Sequence, residues 1–153
     1  MTTPQHIAKH FREVFFGGNW TCSNLRDILK DVTWQQATAK AHDLNTIAAL
    51  TYHMTYYVGT VLEVLQGKPL NSSDELSWKT PPINSQQDWD NLLNKAWADV
   101  EQFNAELEKL PEERLWENFT DPKYGIYYRN LHGIIEHTHY HLGQIAVIKK
   151  LAK

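Results

Sequence analysis

Cysteine is nearly absent. Cys22 stands alone among 153 residues, so the chain can form neither an internal disulfide nor a metal site built from several thiolates, in keeping with a reducing compartment. Long apolar runs are missing as well, and nothing approaches the ~18 residues that a membrane span needs. Met1 to His10 carry neither the basic nor the apolar region of a secretory signal. The expectation is a cytoplasmic protein with no membrane partner. Positive charge is also scarce: 15 Lys and Arg against 18 Asp and Glu leave a net charge of -3. The basic residues are scattered singly, which gives no stripe for phosphates and argues against nucleic acid as a partner. There is no internal repeat, no low-complexity tract and no sustained alternation of apolar and polar residues that would mark a strand. Gly-rich phosphate loops, a Gly-x-Ser-x-Gly elbow and His-Glu-x-x-His are all lacking, and Cys22 has no histidine near it in sequence.

What is present fits one domain spanning residues 1–153, with 42% hydrophobic and 22% charged residues. Six Trp and seven Tyr are many for this length, and they are expected in the core or lining a pocket. Apolar residues recur at helical spacing in four long segments. Thr3 followed by Pro4 opens the first, with Ile7, Phe11, Val14 and Phe15 on one face. Gly17-Gly18-Asn19 interrupts it; Leu25, Ile28 and Leu29 resume the pattern, and Thr33 caps a short turn from Trp34 to Lys40. The second long helix starts from Asn45 as cap, runs through Ile47, Leu50, Met54, Val58, Val61 and Leu65, and stops at Gly67 with Pro69 beyond. Residues 67 to 84 have turn composition and read as a long connection without an element. Ser85 and Asp88 resemble a capping box for a third helix, from Trp89 to Leu107, that Pro111 ends. A turn near Glu112 to Trp116 and a loop through Asp121-Pro122 precede the last helix, from Ile126 or Tyr127 to Leu151. The fold class is all-α, a four-helix bundle with a long crossover connection.

The last helix carries the most informative stretch, Glu136-His137-Thr138-His139-Tyr140-His141-Leu142-Gly143-Gln144-Ile145. A helix turns about 100° and rises about 1.5 Å per residue, so His137 and His141 lie about 40° and about 6 Å apart on one face. Two imidazoles at that spacing can share an ion; His139 points some ~160–200° away and cannot join them. With His137 as origin, Leu131, Ile134, Ile135, Leu142, Ile145 and Ile148 fall within a stripe from about 20° to about 160°. Gln144 sits within about 20° of His137, and His132, Glu136, His139, Gly143 and Lys150 take the opposite, solvent side. An i,i+4 pair serves equally as hydrogen-bonded or surface histidines, but imidazoles placed among isoleucines need partners. His53 lies mid-helix among Leu50, Tyr57 and Val61. It is either a core histidine bonded to a carbonyl or tyrosine, or a third ligand. A di-iron pattern fails, because the one Glu-x-x-His, Glu136 with His139, is on the outer face. His6, His10 and His42 read as surface residues.

Leu50-Thr51-Tyr52-His53-Met54, with His-x-x-x-His-Leu-Gly-Gln-Ile from His137 to Ile145, resembles the DinB-like superfamily of bacterial metal-binding four-helix bundles, which includes YfiT-like proteins. Trp20 and Leu25 ahead of Val32-Thr33-Trp34, Leu65-Gln66-Gly67, and Ser85 to Trp89 fall where that pattern puts them, so the likeness spans nearly the whole chain. The resemblance implies His53, His137 and His141 as ligands of a divalent metal. It does not imply one reaction, since members include metal-dependent hydrolases, S-transferases using a low-molecular-weight thiol, and a thiol-dependent isomerase.

Three nitrogen ligands leave positions open, as at catalytic zinc, and suit nickel, iron or manganese as well. The expected function is a metal-dependent enzyme, a hydrolase or thiol transferase, acting on a small-molecule substrate. Gln144 is a candidate to orient water or substrate, and Tyr57, one turn after His53, to donate a proton. No carboxylate presents itself as general base, since Glu136 points away and Glu63 is about 80° from His53. The alternatives are a bundle that holds a metal or ligand without turnover, and histidines joined only by hydrogen bonds and water. A homodimer is expected from the family analogy and the surplus of aromatics.

Overall fold

The computed structural model describes residues 1–152, and its regular elements are helical: α1 (Thr3–Phe16), α2 (Leu25–Leu29), α3 (Trp34–Thr38), α4 (Ile47–Leu65), α5 (Asp74–Ser77), α6 (Gln86–Lys109) and α7 (Tyr127–Leu151). Two short 3-10 turns, Glu112–Trp116 and Pro122–Tyr124, separate α6 from α7. Among the described residues there is no strand, only an isolated bridge between Asn118 and Ile126, and no helix is long and apolar enough to cross a membrane.

Local chemistry sets the boundaries, with two caps shifted by one residue from expectation. Thr2, not Thr3, caps α1, and Gln5 returns the bond to the Thr2 N–H, leaving Pro4 in the first turn. Thr46, not Asn45, caps α4, its hydroxyl accepting from the Ala49 N–H. Ser85 caps α6 as expected, while Asp88 reaches one residue further back, to the Asn84 N–H. Gly67 ends α4 in the left-handed region with φ 85°. There the Lys68 N–H bonds to the Glu63 carbonyl and the Gly67 N–H to that of Val64, the paired closure a glycine permits.

Each of the four long helices packs against two others, α1 and α4 both lying between α6 and α7. Helices α1 and α6 run antiparallel. Thr3 bonds to Glu112 just past the end of α6, Phe11 stacks on Phe103, and Phe16 meets Trp97. The connection after α4 doubles back along it: the Ser73 N–H donates to Tyr56, Asp74 accepts from Tyr57 and Ser77 meets His53. Ser73 and Asp74 thus meet neighbouring residues of α4 and Ser77 meets His53 a turn earlier, so the connection runs back toward the start of α4. Gly59 lies beside Asp99, each about midway along its helix, so α6 runs parallel to α4. That is the geometry a long crossover serves.

The connection is not structureless, however. Ser73 caps the one-turn α5, accepting from the Leu76 N–H, and the expectation of an element-free linker missed it because four residues are too few for periodicity to register. Phe11, Phe15, Trp89, Phe103 and Leu107 are fully buried in the core. The indole N–H of Trp89 donates to the Val32 carbonyl, which satisfies its buried polar atom.

Candidate metal centre

Helices α4 and α7 meet at three histidines. His53 Nε2 lies 3.1 Å from His137 Nε2, and His141 Nε2 lies 3.0 Å from the same atom. The three rings are packed edge to face, with centroids 4.5 to 4.9 Å apart. His53 and His141 are buried and His137 is half-buried. Nitrogens held about 2.0–2.1 Å from one tetrahedral ion lie ~3.4 Å apart, so the observed spacing is close to that of a ligand set.

The neighbours decide which nitrogens carry protons. The Ser77 hydroxyl donates to the Asp74 carbonyl at 2.6 Å, so its oxygen is free to accept from His53 Nδ1–H at 2.8 Å. The Gln144 side-chain carbonyl, an acceptor only, takes the His141 Nδ1–H at 2.6 Å. With both Nδ1 atoms protonated, the Nε2 atoms of His53 and His141 present lone pairs. Both are aimed at His137 Nε2, which as a neutral ring has at most one proton to offer. Hydrogen bonding therefore satisfies no more than one of the two contacts. Protonating the cluster is not a ready remedy, since burial, then the neighbouring rings, lowers His53 and His137 to about 4. A cation shared by the three nitrogens fits this donor set. The Asp74 carboxylate favours positive charge there as well, working against the depression of His53 and His137.

The family model of the DinB superfamily matches residues 19–145, which include all three histidines. The chain belongs to the DinB superfamily. No curated protein and no solved structure matches it significantly. Among the described residues of this DinB protein, His53, His137 and His141 are the one group of three or more His, Cys, Asp or Glu side chains placed to hold a metal ion.

The other residues singled out from the sequence fall around this cluster. Gln144 touches His141, as above. Tyr57 sets its ring edge-on to both His53 and His137, at 5.3 and 5.2 Å, and its hydroxyl donates to Asp74 Oδ1 at 3.0 Å. Burial, with the Asp74 carboxylate beside it, raises the Tyr57 hydroxyl above its ordinary value, so it stays a donor. Glu136 is exposed, as its place on the helix required. His132 and His139 are half-buried rather than on an open solvent face, because α7 packs against α1 on that side.

Three residues of this site were not expected, and all come from α5 or its end. Ser77 fixes His53, Asp74 brings a carboxylate near the histidines, and Trp78 stacks on the His53 ring with centroids 3.7 Å apart. Asn71-Ser72-Ser73-Asp74 carries the cap signature of a short helix, the one sequence signal pointing to it. A surface groove of about 740 Å³ between α4, α6 and the crossover is lined by none of the histidines.

Proposed function

We propose that this chain is a metal-dependent enzyme acting on a small-molecule substrate, with His53, His137 and His141 as ligands of a divalent first-row ion. The observation that carries the reading is the convergence of three Nε2 atoms, two of them held as lone-pair donors by Ser77 and Gln144. Nickel, zinc, iron and manganese all accept three imidazoles, and such an ion supplies Lewis acidity and a lowered pKa for bound water.

The chain's own groups divide the remaining work. Gln144 and Ser77 orient ligands, the role of groups that fix imidazole tautomer and ring direction. Asp74 takes the proton from an attacking water or thiol, and Tyr57, whose one O–H is donated to Asp74, steadies that carboxylate. Trp78, partly exposed and stacked on His53, forms an aromatic wall against which an apolar part of the substrate lies. A base next to the histidines favours hydrolysis; transfer of a low-molecular-weight thiol to an electrophile would use the same carboxylate to deprotonate the thiol.

Two assay panels on metal-loaded protein separate these reactions: ester and amide hydrolysis, and thiol cosubstrates with halogenated or epoxide electrophiles. The expected result is turnover in one panel that Asp74→Asn lowers about 100-fold, the lower range for loss of a general base, with metal content unchanged. Silence in both panels would leave a metal-holding bundle without turnover.

A further inference from the structure

A second set of histidines lies outside the site just described, on the seam between α1 and α7. His132, Glu136 and His139 fall at i, i+4 and i+7 of α7, hence on one helical face. His10, on α1, approaches that face from across the seam, its ring centroid 6.2 Å from that of His139 and tilted 48° to it. His132 is near enough to feel it too, being lowered by burial first and then by the charge of His10. His10 is exposed, while His132 and His139 are half-buried, so water and ions reach the pair without any opening of the core.

Two imidazoles bound to one tetrahedral ion have centroids about 5 Å apart, given Zn–N bonds of about 2.0–2.1 Å. The 6.2 Å separation is about 1 Å longer than that, and His10, being exposed, has room to turn about its side-chain bonds. Glu136 lies on the same face of α7.

We propose that His10 and His139 hold a second divalent transition-metal ion across the α1–α7 seam, separate from the inner three-histidine cluster. His10 comes from α1, which lies before the segment matched by the family model, residues 19–145. The outer site shares no histidine with the inner three. With two protein ligands against three it binds more weakly than the inner centre. Its effect is to clamp α1, a helix that gives no residue to the inner cluster, onto the helix that gives two.

Titration of chelator-stripped, untagged full-length protein with zinc, read by competition with a metal-sensitive dye, tests this. Two classes of site are expected in the wild type. His10→Gln and His139→Gln each weaken the lower-affinity class by about tenfold or more, at least the cost of losing a group that merely orients a ligand, and leave the tighter class in place. His137→Ala does the reverse, abolishing the tighter class and sparing the weaker. Circular dichroism confirms that each variant is folded, which the exposure of His10 favours. A wild type with no class of site that the glutamine variants weaken and His137→Ala spares, or a weaker class unchanged in either glutamine variant, overturns the proposal. Loss of the tighter class alone would instead count against the inner centre.

Discussion

At the scale of single residues, the chemistry turns on where protons sit. Ser77 and Gln144 hold the Nδ1 protons of His53 and His141, which turns both Nε2 lone pairs inward. Removing one of these partners should weaken metal binding without removing a ligand. Ser77→Ala is expected to lower metal affinity by about 10–100-fold, measured by chelator competition, with helical content unchanged. The same rings govern the response to acid. In the unfolded chain a histidine takes up its proton near 6.5, whereas His53 and His137 in the folded, metal-free protein do so only near 4. Between those values the unfolded state binds more protons, so folding stability rises with pH across the window. Chelator-treated protein should lose stability as pH falls from about 6.5 toward 4 and level off below, as read from denaturant midpoints at each pH. A flat profile across that window would contradict the burial of the two rings.

At the scale of elements, two helices supply the three histidines and a third, very short one completes their surroundings. Helices α4 and α7 were legible because 19 and 25 residues of amphipathic pattern fix both period and face. That period alone sets His137, His141 and Gln144 apart from Glu136, and Glu136 is indeed exposed. Helix α5 was not legible. Four residues show no period, and what holds them in place, Tyr56, Tyr57 and His53 on α4, lies 17 to 24 residues away in sequence. The carboxylate near the histidines thus comes from an element that pattern could not find. His132 and His139 were misplaced for a related reason: a wheel separates faces of one helix but does not reveal that α1 packs against the polar one. The end of α4 offers a test of how the crossover begins. Gly67 has φ 85° and open space where a β-carbon would stand, so Gly67→Ala incurs backbone strain without a clash. The expected cost is about 1 kcal/mol in urea unfolding.

For the molecule as a whole, the crossover ties the fold to the site. On its way to α6 it crosses the face of α4 where His53 points, and brings Asp74, Ser77 and Trp78 there. Metal bound to three histidines on α4 and α7 would in turn fasten two of the four long helices together, and a ligand that binds only the folded state stabilises it by mass action. The most direct test is elemental analysis of the full-length protein, expressed without an affinity tag, desalted without chelator, and compared with His53→Ala and His137→Ala. The structure predicts stoichiometric first-row metal in the wild type and its loss in both variants. A wild-type protein that retains no such metal, and regains none when nickel, zinc or manganese is added, would contradict the assignment of the three histidines as a metal centre.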